Sequence, residues 1–127
     1  MTKQHIECIA LIAVKCDIEK DRKLDFLEKR QEIYLRNYAK ANRIVIADVV
    51  YSRGMGQMEI NRQFNRIIDL IRRRKVDGVL VVNILSISLN LSDAYSKVGK
   101  VRAAGGMLIT VEEGDLRLNI KRRNQNG

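Results

Sequence analysis

Short apolar runs alternate with amphipathic stretches along most of this chain. Runs rich in apolar and β-branched residues predict strands at 8–14, 43–51, 76–82 and 107–111. Between them, apolar residues recur at helical spacing and predict helices over about 21–42, 60–75 and 91–101. The sequence thus predicts strands and helices in regular alternation, with Asn90 or Ser92 as the N-cap of the last helix.

This alternation predicts the fold class. It favours an α/β, three-layer domain with a mostly parallel four-stranded sheet and helices on both faces. Apolar residues at Leu116, Leu118 and Ile120 alternate with polar ones, which predicts a short additional edge strand. We expect one domain over residues 1–120 and a flexible basic and polar tail at 121–127. Ligands of such folds bind where parallel strands end, which here means the loops 15–20, 52–56, 83–90 and 112–115.

Charge narrows the classes of partner. The 127 residues carry 24 Lys and Arg against 15 Asp and Glu, for a net charge of +9. Such an excess favours a polyanion, nucleic acid first and an anionic membrane surface second, although it also serves plain solubility.

No apolar run is long enough to span a membrane. With two cysteines and one histidine, the chain offers neither a disulfide framework nor a zinc site, so we expect reduced thiols in a cytoplasmic protein.

Two loops suggest small-ligand chemistry, each beside a simpler interpretation. The carboxylates of Glu112, Glu113 and Asp115 suit a hard cation, but a solvated acidic loop is the favoured interpretation. Residues 52–56 (SRGMG) suit a phosphate cradle but lack the P-loop lysine pattern. We therefore predict no bound metal and no cofactor.

Several short motifs occur in an order that one family shares. They are LEKRQ at 27–31, YSRG at 51–54, NRQF at 61–64, VDGVLVV at 76–82, LSISLN at 85–90 and GGML at 105–108. Together they resemble the N-terminal catalytic domain of the serine site-specific recombinases, the resolvases and invertases, over roughly residues 6–115. Members of that family join a serine to a DNA phosphate and stabilise the phosphoryl charge with arginines. They continue into a long dimerisation helix and a DNA-binding domain, and we expect neither part here unless the 127 residues are a fragment of a longer chain.

The resemblance also locates the catalytic positions, and this chain departs from the family at each. Cys16 stands at the nucleophile position. The positions of the family's acid and arginines carry neutral residues, namely Val14, Asn61, Leu85, Ser86 and Leu89. Since one lost electrostatic contact costs about 3 kcal/mol in comparable transition states, we expect no useful strand exchange.

These observations lead to a hypothesis and two alternatives. The chain is interpreted as a catalytically inactive, resolvase-like module that binds DNA weakly and non-specifically or associates with a recombinase or with itself. The expected DNA contacts are the basic side chains of Arg53, Arg62, Arg72, Arg73, Arg74, Lys75, Lys121, Arg122 and Arg123. The alternatives are a residual strand-transfer enzyme that uses Cys16 as nucleophile, and a module that binds a small anion or nucleotide.

Overall fold

The computed structural model describes residues 5–15 and 21–116. Within these residues the chain forms five strands, three α-helices and one short 3-10 turn, Ile84–Ile87. The strands are β1 (Ile6–Ile12), β2 (Ile44–Tyr51), β3 (Gly78–Val81), β4 (Met107–Thr110) and β5 (Gly114–Leu116). The helices are α1 (Asp21–Ala41), α2 (Gln57–Arg72) and α3 (Leu91–Ala103).

The sheet confirms the predicted α/β class. Its strands lie in the order β2-β1-β3-β4-β5. The first four are parallel, and β5 pairs antiparallel with β4. The expected edge strand is present, but it starts earlier than the alternation indicated, at Gly114, while Leu118 and Ile120 lie outside the described residues.

Helices cover both faces of the sheet, and each face has its own apolar core. Helices α2 and α3 lie on one face, where Phe64, Ile67 and Val101 pack against Leu11 and Val79. Helix α1 covers the other face, and its buried residues Leu35 and Ala39 pack against a cluster that contains Cys8, Ala10, Ile12, Leu80 and Ile109. Burial on both faces explains why these strands are apolar throughout instead of alternating. No helix among the described residues is long and apolar enough to cross a membrane.

Two glycines allow the elements to approach closely where β3 and β4 begin. A Cβ on Gly78 would lie 2.2 Å from the carbonyl oxygen of Met107. A Cβ on Gly106 would lie 2.5 Å from Ile71 Cγ2 and 2.9 Å from the carbonyl oxygen of Asp77. Since real side chains do not tolerate such contacts, glycine at these positions lets the end of α2 pack against the start of β4.

The parallel strands give the domain two chemically distinct edges. We define the carboxyl edge as the segments that follow β1 to β4, namely residues 13–15, 52–56, 82–90 and 111–113. We define the amino edge as the segments that precede them, namely residue 5 and residues 42–43, 73–77 and 104–106. Main-chain hydrogen bonds connect the amino edge, from Ile6 N–H to Arg43 O (3.3 Å) and from Asp77 N–H to Glu7 O (2.7 Å).

Candidate functional site at the carboxyl edge

The loop after β3 is an ordered turn held by its own short polar side chains. Asn83 caps the 3-10 turn, since its side-chain oxygen accepts from Ser86 N–H at 2.7 Å. The Ser86 hydroxyl donates back to Asn83 O at 2.7 Å, and the Ser88 hydroxyl donates to Ile84 O at 2.7 Å. Asn and Ser favour this kind of local side-chain-to-backbone bonding, so the neutral composition of the loop produces a rigid turn.

Side chains from two other segments bind the carbonyl oxygens of this turn. The ammonium of Lys15, just after β1, donates to Ser88 O at 2.6 Å and to Leu85 O at 3.2 Å. The amide of Gln57, at the start of α2, donates to Ile87 O at 2.8 Å. The predicted meeting of the loops is therefore confirmed for these described parts of the carboxyl edge.

The acidic segment after β4 also binds this turn. A carboxylate oxygen of Glu113 accepts from Ile84 N–H at 2.9 Å, and a carboxylate oxygen of Glu112 accepts from Asn83 Nδ2 at 3.1 Å. These two carboxylates thus contact the neighbouring loop. Across residues 5–15 and 21–116, no group of three or more His, Cys, Asp or Glu side chains is arranged to hold a metal ion.

The start of α3 contains a partly buried ion pair, between Lys97 and Asp93, that the sequence interpretation missed. Asn90 caps the helix by accepting from Asp93 N–H at 2.8 Å, which confirms it as the N-cap. Asp93 accepts in turn from Leu89 N–H at 2.9 Å and from the Lys97 ammonium at 2.6 Å. Lys97 is only 3% exposed and its ammonium lies 5.6 Å from the ring centroid of Phe64. The Asn-x-x-Asp spacing and the position of Lys97 in the apolar stripe of α3 were the available signals.

The electrostatics of this corner follow from the two lysines and the aspartate. Burial by itself would raise the pKa of Asp93, but the hydrogen bonds from Lys97 and Leu89 outweigh it and hold the pKa below its ordinary value. The pKa of Lys15 is lowered by partial burial first and then by the charge of Lys97, while Asp93 opposes the shift. The Lys15 ammonium is therefore repelled by the charge of Lys97 while it donates to the carbonyl oxygens of the turn.

The positions at which the resemblance locates the phosphate clamp carry neutral side chains, and the structure shows where these side chains lie. Leu85 and Leu89 are 53% and 70% exposed, so these two positions present apolar side chains to solvent. The Ser86 hydroxyl is bonded to Asn83. Val14 packs partly buried against the α1 side of the core, and Asn61 accepts from Gln57 Nε2 at 2.9 Å. Cys16 lies outside the described residues.

Arg53 and Arg62, two of the predicted DNA contacts, are bound to carboxylates. Arg53 donates to Glu28 through its backbone N–H and through its guanidinium, both at 3.1 Å. Its guanidinium also lies 4.5 Å from the ring centroid of Tyr51. Arg62 pairs with Glu59 on the exposed side of α2 at 2.9 Å. Neither carboxylate belongs to the turn after β3.

A polar cavity of about 420 Å³ lies beside Arg53, between α1 and the end of β2. The Tyr51 hydroxyl donates to Glu32 there, and Arg36 donates to the same carboxylate at 2.9 Å. The bond from Tyr51, followed by that from Arg36, lowers the pKa of Glu32. The same bond, helped by burial, raises the pKa of Tyr51. Sequence analysis missed this cluster, although Glu28 and Glu32 stand at helical spacing.

The remaining predicted DNA contacts lie elsewhere. Arg72 ends α2, and Arg73, Arg74 and Lys75 follow it at the amino edge, across the sheet from the turn after β3. Lys121, Arg122 and Arg123 lie outside the described residues. The predicted basic set is thus divided between two edges.

Gln31 is a further residue whose role sequence analysis did not assign. Its side-chain oxygen accepts from Ala13 N–H at 2.9 Å, and its side-chain nitrogen donates to Ala13 O at 3.3 Å. This paired contact fixes the last residues of the β1 segment against α1. Its place within the motif at 27–31 was the signal.

Comparisons with known proteins confirm the resolvase-like fold. A resolvase family site-specific recombinase from Streptococcus pneumoniae superposes with a TM-score of 0.71 at 22% identity, covering 95% of this chain and 91% of that one. The C-terminal catalytic domain of ISC1926 TnpA, an IS607-like serine recombinase, superposes with a TM-score of 0.61 at 18% identity, covering 95% and 77%. No protein-family model matches the chain, and no curated protein does. At these identities the likeness shows the fold.

Proposed function

We propose that this resolvase-fold chain is a recombination-related module that binds DNA and does not carry out strand exchange. The observation that carries the proposal is the turn after β3. Its clamp positions hold exposed Leu85 and Leu89 and the internally bonded Ser86. The names of the structural neighbours, a site-specific recombinase and a serine recombinase catalytic domain, support the link to recombination.

The energetic argument concerns charge at a reacting phosphate. Phosphoryl transfer gains most of its rate from cations that neutralise the charge on the phosphoryl oxygens. Here the cation against the turn is Lys15, and its ammonium donates to two carbonyl oxygens. Each missing contact costs about 3 kcal/mol, a factor of about 100 in rate, so the loss of several leaves no useful catalysis.

DNA is proposed as the partner because of the overall charge. A net charge of +9 attracts a polyanion at long range, and phosphate contacts by Lys and Arg supply sequence-independent affinity. Such binding must weaken steeply as salt rises, because it depends on the release of counterions.

A covalent-adduct assay tests the absence of strand exchange. The protein is incubated with supercoiled plasmid, the reaction is denatured, and protein-linked or nicked DNA is measured against an active serine recombinase with its own plasmid. We expect neither product. An adduct that disappears in the Cys16→Ala variant would overturn the proposal in favour of a cysteine-dependent enzyme.

A second candidate role is association with another resolvase-fold chain, either a recombinase or a second copy. Large apolar side chains stand exposed along one segment that includes the turn and the start of α3, namely Leu85, Leu89, Leu91 and Tyr95. Exposed apolar groups of this kind mark contact surfaces more often than isolated ones do. Light scattering of the wild type and of a Leu85→Ser/Leu89→Ser variant tests self-association. The mass of the wild type should rise with concentration, and that of the variant should not. A wild type that stays monomeric at all concentrations contradicts self-association.

A further inference from the structure

A group of exposed basic residues lies at the amino edge and in the helix ends beside it. They come from all three helices and from the segments that follow them, namely Lys40, Arg43, Arg72, Arg73, Arg74, Lys75, Lys100 and Arg102. Acidic side chains also lie in this region, at Glu7, Asp69 and Asp77. The basic residues therefore outnumber the acidic ones, and the carboxyl ends of three helix dipoles, about −0.5 charge each, offset part of their charge.

Helix capping explains part of this pattern. Basic residues stand in the last turns of all three helices, where a cation is favoured by the dipole, namely Lys40, Arg72, Lys100 and Arg102. The Arg102 guanidinium also donates to Gly106 O at 3.2 Å. Arg43 and Arg74 lie beyond the helices, with φ angles of 58° and 62°. The left-handed position after a helix normally takes glycine or asparagine, because other residues are strained there. Arginine at two such positions is therefore not explained by the needs of the helix ends.

The segments that carry these basic residues lie next to one another along the amino edge. Arg72 and Arg74 line the same cavity of about 390 Å³ as Ala104 and Gly105 at the end of α3. On the other side, Arg43 O accepts from Ile6 N–H on the neighbouring strand. From β2 to β4 the edge crosses three strand spacings, about 14 Å. Over that length a DNA duplex presents about eight phosphates, and the eight basic residues less the three acidic ones could neutralise part of that charge.

The carboxyl edge differs in both charge and polarity. Arg53 at that edge is paired with Glu28, and Arg62 in the first half of α2 is paired with Glu59. At the amino edge Arg73 is paired with Asp69 at 3.1 Å, which leaves the excess of basic over acidic residues there in place. Several of the exposed large apolar side chains lie toward the carboxyl edge, namely Met55, Met58, Leu85, Leu89 and Leu91. Beside the amino edge, the exposed large apolar side chain is Val45. Apolar insertion beside basic groups strengthens binding to a membrane surface, and this edge exposes little apolar surface for it, so the amino edge suits a soluble polyanion better.

We infer that the amino edge, and not the edge that resembles a recombinase active site, binds the phosphate backbone of duplex nucleic acid. The arginines suit this ligand because a guanidinium fork matches two phosphate oxygens. The inference rests on the proposed function only for the choice of DNA as partner. Beyond that function, the inference specifies the edge on which the duplex lies and assigns Arg43, Lys100 and Arg102 to the contact.

The test compares two triple variants with equal change in net charge. One is Arg72→Gln/Arg74→Gln/Lys75→Gln at the amino edge. The control is Lys29→Gln/Arg30→Gln/Arg62→Gln, on exposed helix faces nearer the carboxyl edge. Circular dichroism and thermal unfolding establish that both fold, and binding of a 20-base-pair duplex is then measured across a salt series.

The amino-edge variant should lose at least tenfold in affinity at low salt, and its log–log salt slope should become shallower by about 2.7. The control should lose less than threefold. An equal loss in both variants, or a larger one in the control, overturns the inference while leaving DNA binding intact. No duplex binding by the wild type at low salt instead contradicts the proposed function itself. Binding to phosphatidylserine vesicles in place of the duplex, lost in the amino-edge variant, would overturn the inference in favour of a membrane surface.

Discussion

The ammonium of Lys15 donates to the main-chain carbonyl of Ser88 at 2.6 Å, across 73 positions of sequence. This bond ties the end of the β1 segment to the turn after β3, where the family's enzymes use charged side chains. In this chain a cation at that edge is engaged in holding a loop in place.

Replacing Lys15 with Met should loosen the turn after β3. The substitution keeps the length of the side chain and removes the donors to Ser88 and Leu85. Because Lys15 is largely exposed, we expect a loss of about 1 kcal/mol in the free energy of unfolding. Hydrogen exchange of the amides in residues 83–90 should accelerate. Lys29→Met, on the exposed face of α1, is the control and should change neither; unchanged exchange in Lys15→Met would show that the contact is unimportant.

Removing Asp93 should be far more costly than removing its partner. Asp93→Ala leaves the buried Lys97 ammonium without its carboxylate. It also removes the acceptor of the hydrogen bond from Leu89 N–H. We expect a loss of about 3 kcal/mol, measured by urea unfolding. Lys97→Met replaces the ammonium with an apolar group of similar length and should cost less than about 1.5 kcal/mol.

The double variant Asp93→Ala/Lys97→Met isolates the coupling between the two charges. It should be more stable than Asp93→Ala alone, because it no longer buries an unpaired cation. If the double variant loses the sum of the two single losses, the charges do not interact and the assignment of a buried ion pair is wrong.

Stability should fall in acid because of Glu32 and Asp93. Their pKa values in the folded state lie below the ordinary values of 4.5 and 3.8. The folded state therefore binds fewer protons than the unfolded state, so the stabilisation is present above these ordinary values and is lost as pH falls through the folded ones. Unfolding by urea between about pH 6 and pH 2 should show this decline.

The variant Tyr51→Phe provides the control for that experiment. It removes the hydroxyl that donates to Glu32, which is the largest cause of the lowered pKa of that carboxyl. Its stability should depend less on pH in the acid range than that of the wild type. Identical profiles for the two proteins would mean that the Tyr51 bond does not contribute to stability.

Cys8 should be chemically inert in the folded protein. It is fully buried in β1, and burial, with the charges of Asp77 and Asp115, raises the pKa of its thiol to about 12. At pH 8 only about one molecule in ten thousand then carries the reactive thiolate. In the Cys16→Ala variant, iodoacetamide should label Cys8 only after denaturant is added, as followed by mass spectrometry. Rapid labelling in native buffer would contradict the buried position.

The fold was largely predictable because burial gives periodic signals. The continuous apolar runs became β1 to β4, and the strip Ile60, Phe64, Ile67 and Ile71 became the buried face of α2. The 3-10 turn at Ile84–Ile87 was not predicted, since its order comes from partners far away in sequence. Those bonds come from Lys15, Gln57 and Glu113, and no local sequence pattern predicts them.

The candidate site was predictable only as a set of positions. The resemblance located Leu85, Ser86 and Leu89 on one loop, and the structure places them there. The resemblance did not indicate that Arg72–Lys75 would lie at the opposite edge from Arg53. That placement depends on where α2 ends relative to the sheet. Nor did the resemblance identify Lys97 as buried, because a lysine in an amphipathic helix is ordinarily exposed.

The most direct test of the central claim is a map of backbone amide shifts in ¹⁵N-labelled protein titrated with a short duplex. The account predicts saturable shifts at residues 72–75 and 100–106, together with Arg43, and unchanged positions for residues 83–90. Shifts centred on residues 83–90 and Lys15, with the amino edge unaffected, would contradict it, because the duplex would then occupy the edge that a recombinase uses for catalysis.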